Sequence, residues 1–525
     1  MYLVSVTVVT LSAVVALTSS EIFTSSLKVE RMVMEEESLL GEFKSFIDQQ
    51  YERLKTLSIF YSDRLREVRF RDDPGAREKL QHPNAVYLAI TRYLHDYTSI
   101  LGDRFGSFLN AATRSGKHFM AQEEDLVGAR LSLLRLQSVY KMKAEDMARG
   151  DYLGFQGPPL SSKDAFEIGA VAYTEGKLNQ SLDWLNASIN LYNSNDNPTG
   201  PTPLVVTALM GRAYLLIGDL TRAEQIYEDV KELEPTCGDA KVLGEELRSR
   251  PAFTPTRPKA NFVNFSRLCS LENRHHIPNP NNPRLVCRYR ETLLPYYRFK
   301  EEILSVAPFV SVIYNVISDA EGDHLKGFVK NKLVRGKIGS GKPIVSDVRT
   351  SDLSWIRDYE SDLASSISKR IEYITGLDTS QRHPYGPSSS EAFQVVNYGL
   401  GGHYEVHMDP LETVSSHSEL KNSGERIATF LIYLSDVQRG GSTVFTRAGI
   451  AVAPVKNMAL FWYNFNPAHQ KDQMTLHGGC PVLIGQKWIC NKWIWTYGNT
   501  LRRRCGLTPE ATQLDIEPDM KRGYK

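Results

Sequence analysis

A chain of 525 residues is too long for one compact core, so two to four domains are expected. Its 42% hydrophobic and 23% charged residues are ordinary for a folded soluble protein. A formal net charge of +1 gives no support to a nucleic-acid or acidic-membrane partner.

The first twenty residues predict a secretory signal peptide. Val4 to Leu17 is apolar and uncharged, and small polar residues follow it, with cleavage expected near Ser19 or Ser20. No basic residue precedes the run, which leaves an uncleaved anchor as the alternative. No later segment is apolar for long enough to span a bilayer. Glycosylation sequons at Asn179, Asn186 and Asn264 agree with that route. The six cysteines contain no CxxC pair, which argues against a zinc ribbon or a thioredoxin site. An oxidising lumen allows two disulfides. Cys269 with Cys287 and Cys480 with Cys505 are the favoured pairs, although spacing alone leaves connectivity open. The C-terminal "DMKRGYK" is not a KDEL-type signal.

From about Ser38 to Met147 apolar residues recur at three- and four-residue steps, which predicts helices. Their stripe suits either a bundle core or an arm that pairs with a partner helix. Two related segments follow. "LMGRAYLLIGDLTRAEQIYEDVKELEP" places Ala213, Gly218, Ala223 and Pro235 where a tetratricopeptide helix pair needs small residues and a stop. "AFEIGAVAYTEGKLNQSLDWLNASINLY" is a looser version. Tyr173, Tyr192, Tyr214 and Tyr227 are candidates for an aromatic groove that holds an extended proline-rich peptide. Packing between the helices is the alternative for each ring. Arg250 to Pro283 is rich in Pro and Asn and predicts a linker.

Beyond Tyr296 the pattern turns to short strands. "FVSVIYNVI", "AFQVVNYGL", "IATFLIYLSDV", "NMALFWYNF" and "KWICNKWIW" are β-branched and aromatic, which predicts a β-sandwich or jelly roll. Helices are expected around His324–Leu333 and Asp358–Thr375.

The chemistry starts in "YGLGGHYEVHMD". On a strand, residues i and i+2 share a face, so His407 and Asp409 project together. A third ligand would complete a facial triad with open positions, the geometry of non-haem Fe(II) handling O2 and an oxo-acid. His477 supplies it, in "DQMTLHGGCPVLIGQKW". Ten residues on stands Lys487, among hydrophobic neighbours. A buried lysine is costly without an anion, and the far carboxylate of 2-oxoglutarate would provide one. The plainer alternatives are a satisfied strand histidine at 407 and an exposed strand charge at 487.

These motifs, with "GERIATFLIYLSDVQRGGSTVFTRAGIAVAPVKNMALFWYN" and the "AYTEG" region, resemble the α subunit of collagen prolyl 4-hydroxylase. The resemblance implies iron ligands at His407, Asp409 and His477 and a 2-oxoglutarate anchor at Lys487. Tyr398 and Thr429 are implied to line that pocket. It also implies Fe(II), 2-oxoglutarate, O2 and L-ascorbate as cofactors and cosubstrates. The implied substrate is a proline-rich, collagen-like peptide. Protein disulfide isomerase is the implied β-subunit partner, in an α2β2 tetramer of the endoplasmic reticulum lumen. The disulfides Cys269–Cys287 and Cys480–Cys505 are implied by the same likeness. The implied fold is multidomain α + β. A signal peptide (1–20) precedes a helical N-terminal dimerisation domain (21–150). A tetratricopeptide-like peptide-binding α domain (151–245) and a linker (246–295) follow. A double-stranded β-helix, or jelly roll, dioxygenase domain (296–510) and a tail (511–525) end the chain. The sequence departs from the family pattern at Trp495, where a histidine is usual, at Val406 and at His403.

Overall fold

The computed structural model describes residues 26–68, 80–102, 121–193, 200–235, 238–249, 260–271, 275–281, 286–292, 294–338, 344–345, 348–381, 387–411, 424–508 and 510–517. The expected signal peptide, Cys237 and the end of the tail lie outside them. Two compact units result: residues 1–74 with 97–109, and residues 75–96 with 110–525.

In the first unit, α1 (Ser26–Val68) runs for 43 residues. Leu39, Leu40, Phe43, Phe46, Ile47, Tyr51 and Leu54 are all exposed along it. The spacing that predicts a helix is therefore present. Within this unit the apolar stripe stays largely uncovered, although Phe60 meets Tyr97 edge to face at 5.1 Å.

The second unit begins with helices. His82 caps α2 (Pro83–Thr91) by accepting the Asn84 N–H at 3.2 Å, and proline opens the first turn, where its missing N–H costs nothing. α3 (Glu123–Tyr140) opens on three acidic residues, which suit the positive end of the helix dipole. It buries Leu126, Leu133 and Leu134. The short α4 (Ala144–Ala148) leads to two antiparallel helix pairs. They are α5 (Ser162–Thr174) with α6 (Leu178–Asn190), and α7 (Pro203–Ile217) with α8 (Leu220–Leu233). Gly218 ends α7 at φ +95°, a left-handed turn that favours glycine, and Asp219 caps α8. α9 (Gly238–Ser249) packs on the second pair.

The segment expected to be a linker contains regular structure among its described residues. It holds α10 (Ala260–Ser270) and the edge strand β1 (Cys287–Glu291). The buried face of α10, Phe265 and Leu268, packs with Leu133, Val444 and Cys480 in one apolar cluster. Its proline-rich start masks that amphipathic stretch in the sequence.

The β-rich region adds β2 (Arg298–Val306), β3 (Phe309–Tyr314), α11 (Asp319–Val329), β4 (Val334–Arg335), β5 (Asp352–Ile356) and α12 (Asp362–Thr375). It continues with β6 (Phe393–Tyr398), β7 (Tyr404–His407), β8 (Arg426–Tyr433), β9 (Thr443–Phe445), β10 (Ile450–Val452), β11 (Ala459–Tyr463), β12 (His477–Gly479) and β13 (Lys487–Trp495). Among the described residues they build a nine-stranded sheet, β1-β2-β3-β11-β8-β13-β6-β5-β4, and a four-stranded sheet, β7-β12-β9-β10. One face of the large sheet is covered by α11 and α12 through Leu325, Ile367 and Ile371. A second apolar cluster joins the two sheets, with Trp462 and Tyr398 from one and Phe445 and Ile450 from the other. The interior strand β13 is buried along nearly its whole length, which is why its apolar residues do not alternate with polar ones.

The disulfide differs from both expected pairs. Cys269 bonds Cys480, closing 211 residues, while Cys287 and Cys505 are exposed free thiols. Proximity in sequence favours the pairs 269–287 and 480–505. Packing of α10 across β12 overrides it by bringing the last turn of the helix onto the residue that follows the strand. Replacing Cys480 by serine is expected to lower stability by about 2–5 kcal/mol, measured by chemical denaturation. An unchanged midpoint would show that the cross-link carries no stability.

Candidate metal centre

β7 and β12 pair antiparallel, with His407 directly opposite His477. Cross-strand partners on one face are close neighbours, so the two imidazoles meet with ring centroids 4.5 Å apart. β7 ends at His407, and Asp409 lies two residues beyond it in a buried bend. The aspartate is thus delivered by a turn rather than by the strand alternation expected for it. Its Oδ1 stands 3.6 Å from His407 Nε2 and 3.7 Å from His477 Nε2. All three ligand atoms lie within 4.8 Å of one another, and they form the one such cluster among the described residues.

The surrounding hydrogen bonds fix which atoms face the common point. His407 Nδ1 is 2.7 Å from the Glu405 carbonyl, and His477 Nδ1 is 2.9 Å from the Thr475 carbonyl. A carbonyl only accepts, so each Nδ1 carries the proton and each Nε2 keeps a free lone pair. Asp409 Oδ2 accepts from Thr429 Oγ1 at 2.6 Å, which leaves Oδ1 for a cation. The threonine hydroxyl is oriented in turn. Asn464 Nδ2 donates to it at 3.0 Å, so its single hydrogen is directed at Asp409. The Trp462 indole N–H donates to Asn464 Oδ1 at 2.8 Å and sets the amide. Thr429 therefore acts on the aspartate. Asn464 and Trp462 were invisible in the sequence, because only the register of β8 against β11 brings them beneath the site.

Burial lowers the His477 pKa to about 4, so the ring is neutral at physiological pH, as metal binding requires. Burial pushes the Asp409 carboxyl up. The neighbouring imidazoles of His477 and His407 and the Arg426 guanidinium outweigh it and hold the group well below the usual carboxylate range. Arg426 also donates to the Asp409 carbonyl at 3.3 Å, and its guanidinium lies over the Trp493 ring at 4.0 Å. Tyr404 stacks on His407 at 3.7 Å. Phe445 and Trp462 flank His477. Gly478 is required by close approach, because a Cβ there would sit 2.9 Å from the Phe265 ring of α10.

Two imidazoles and one carboxylate on one side of a common point are the donor set of a facial triad, and they suit a divalent iron with open positions. Lys487 opens β13 opposite Tyr398. Its Nζ lies 5.6 Å from the Tyr398 and Tyr433 ring centroids, and the residue is 3% exposed. No carboxylate pairs with it among the described residues. Burial lowers its pKa to about 7. An ammonium so placed fits the anionic end of a dicarboxylate cosubstrate.

The remaining candidates scatter more widely. Tyr173 and Tyr214 are half-buried on one cluster of the paired helices. The Arg212 guanidinium covers Tyr173 at 5.2 Å and is itself held by Glu246. Tyr227 packs against Gly244 between α8 and α9, so its ring is part of the helix packing. Tyr192 is half-buried just beyond α6. Asn179, Asn186 and Asn264 are exposed on helices. His403 is 4% exposed with Nδ1 unpartnered, and it is outside the triad. Trp495 ends β13 and is buried.

The fold and site define a 2-oxoglutarate/iron(II)-dependent dioxygenase. The sequence model of the 2OG-Fe(II) oxygenase superfamily matches residues 393–495. A second model, of the prolyl 4-hydroxylase alpha-subunit N-terminal region, matches residues 25–154. Prolyl 4-hydroxylase subunit alpha-3 of Homo sapiens is 30% identical, covering 93% of this chain and 94% of that one. The Bos taurus alpha-3 subunit is 29% identical over 93% and 94%. The Gallus gallus alpha-2 subunit is 30% identical over 93% and 96%. The chain belongs to the prolyl 4-hydroxylase alpha-subunit family.

The hydrogen-bond chain under Asp409 leads to a direct expectation. Thr429→Val and Asn464→Ala should each weaken iron binding by about 10–100-fold without unfolding the protein. Metal titration followed by fluorescence checks this. Wild-type affinity in both variants would remove the positioning role.

Proposed function

We propose that this protein is a procollagen-proline 4-dioxygenase α subunit that hydroxylates proline in X-Pro-Gly, collagen-like sequences. The observation that carries the reading is the convergence of His407, Asp409 and His477 beside a buried Lys487 that meets no carboxylate among the described residues. Iron(II) held by that triad supplies the redox chemistry that couples decarboxylation of 2-oxoglutarate by O2 to hydroxylation at proline C4. The chain's own residues do the rest. Nε2 of both histidines and Oδ1 of Asp409 would hold the cation. Lys487 grips the distal carboxylate of 2-oxoglutarate. Tyr398 and Tyr433 wall that end of the pocket and exclude water. The partly exposed ring of His407 and the Tyr404 ring stacked on it mark the side from which a peptide can approach. L-Ascorbate would return oxidised iron to the ferrous state.

Further readings support this one. The two facing sheets are read as a double-stranded β-helix. The pairs α5–α6 and α7–α8 are read as tetratricopeptide-like, holding a proline-rich chain near Tyr173 and Tyr214 and raising its local concentration. The uncovered stripe of α1 suits pairing with a second copy in an α2β2 tetramer with protein disulfide isomerase. The sequons and the N-terminal apolar run suit an N-glycosylated protein of the endoplasmic reticulum lumen, entered through a signal peptide.

The test is succinate release from (Pro-Pro-Gly)n by the co-expressed complex, with mass spectrometry of the product. Hydroxyproline formed in step with succinate supports the proposal. Trp495, where the family has a histidine, favours a second reading: peptide capture with reduced catalysis. Peptide binding without turnover, with iron and ascorbate supplied, would select it. Succinate release with a different proline-rich peptide alone would point to a non-collagen substrate.

A further inference from the structure

One wall of the Lys487 pocket is made by two segments that bond to each other. Thr443 lies opposite Gly479 in the pairing of β9 with β12. The Cys480 N–H donates to the Ser442 carbonyl at 2.8 Å, and the Gly441 N–H donates to the Pro481 carbonyl at 3.1 Å. Both segments approach the lysine. A Cβ built on Gly441 would lie 3.5 Å from Lys487 Cδ, and one on Gly479 would lie 4.0 Å from Nζ. The Thr443 hydroxyl accepts from the Tyr433 hydroxyl at 2.8 Å, and the Tyr433 ring faces the ammonium.

A side chain from the helices enters this junction. Tyr140, the last residue of α3, is 6% exposed, and its hydroxyl donates to the same Pro481 carbonyl at 2.5 Å. It fills the space beside Gly440, where a Cβ would come within 2.5 Å of the phenol oxygen. The helix is itself fixed in place. Leu133, Leu136 and Val139 are buried, and the Ser266 hydroxyl of α10 donates to the Val139 carbonyl at 2.9 Å.

We propose that Tyr140 is a positioning residue for the cosubstrate. Acting through Pro481 and Gly441, it holds the wall against which the Lys487 side chain lies. This role rests on Lys487 being the anchor of the distal carboxylate of 2-oxoglutarate. A carbonyl oxygen has two lone pairs, and Pro481 meets two donors. Without the phenol, one lone pair of this buried carbonyl is left unsatisfied. Gly440 and Gly441, both at positive φ and without side chains to pack, can then turn into the vacated space. The ligand histidines are held by other carbonyls, those of Glu405 and Thr475, so the effect falls on the lysine end of the pocket.

The experiment uses the full-length protein in its co-expressed complex, with Mn(II) in place of iron and oxygen excluded. Calorimetry compares 2-oxoglutarate with 2-oxobutyrate, a keto acid that lacks the distal carboxylate. Tyr140→Phe keeps the ring and removes only the hydroxyl. It should weaken 2-oxoglutarate by about 3- to 10-fold and leave the affinities for 2-oxobutyrate and Mn(II) unchanged. A merely structural phenol would weaken both acids and the metal alike, or none of them, and either outcome overturns the role. Lys487→Met tests the anchor separately. A preference for 2-oxoglutarate that survives in Lys487→Met places the anchor elsewhere, and the role of Tyr140 falls with it. A preference that Lys487→Met removes and Tyr140→Phe leaves intact overturns the role of Tyr140 alone. In the double variant the effect of Tyr140→Phe should vanish, because the two residues act on one contact.

Discussion

Replacing His407 or Asp409 by alanine will abolish 2-oxoglutarate-dependent turnover while leaving capture of a proline-rich peptide intact. Each supplies one of three donor atoms, and no fourth His, Cys, Asp or Glu joins the cluster among the described residues. Loss of an outer hydrogen-bond partner costs about 10–100-fold, and loss of a donor itself exceeds that. Asp409→Ala has a further consequence. It leaves the Thr429 hydroxyl without its acceptor and removes the negative charge between two imidazoles. Its metal affinity should therefore fall further than that of His407→Ala, whose ring is partly exposed. Succinate release reads the chemistry, and fluorescence anisotropy with a labelled polyproline reads the capture. Substantial turnover in either variant would remove the assignment of the triad. Loss of both readouts together would show that the fold, and not the metal, had been disturbed.

Lys487→Met will separate binding of the cosubstrate from stability of the fold. Truncating one partner of a buried charge pair costs about 2–5 kcal/mol, so the KM for 2-oxoglutarate should rise by about 30-fold to several thousand-fold. In the free protein the same change removes a buried amine that has no anionic partner among the described residues, and the melting temperature should rise. A simple packing role for Lys487 predicts no such opposition. The pH dependence follows from its pKa of about 7 against an ordinary 10.5. Below about pH 7 the amine is charged in both folded and unfolded chains, and the burial penalty is fully felt. Between about 7 and 10.5 the unfolded chain binds more protons, so stability rises with pH across that window and then levels off. Affinity for 2-oxoglutarate runs the other way. The free amine must take up a proton to pair with a carboxylate, so affinity should decline above pH 7, by at most about tenfold per unit. A KM that stays flat from pH 6.5 to 8.5 would place the anchor elsewhere.

Much of the β-rich region was legible because buried strands leave a strong local record. The runs at β3, β6, β8, β11 and β13 each read as segments rich in β-branched or aromatic residues, bounded by turns. β2, with Lys300, Glu301 and Glu302 in its first half, hides that record. The two interior helices were placed within a few residues of α11 and α12, since their amphipathic period is local too. The ends were less certain, because capping residues such as Ser318 and Ser361 act only once the helix has a surface to lie on. The supports of the site left no local trace at all. Asn464 is an ordinary polar residue in sequence, and becomes a fixed donor only when β8 and β11 are in register.

The residue types and spacing of His407, Asp409, His477 and Lys487 pointed to the chemistry, because a facial triad and a charge anchor demand those donor groups. Tertiary structure decided how they meet. Two histidines 70 positions apart became cross-strand partners, a bend rather than a strand carried the aspartate, and α10 brought Cys269 to Cys480 instead of to its nearer neighbour. Donor identity is a property of single side chains and survives in a linear text. Register, turn direction and helix docking are set by burial of surfaces distant in sequence, and these exist only once the chain has folded.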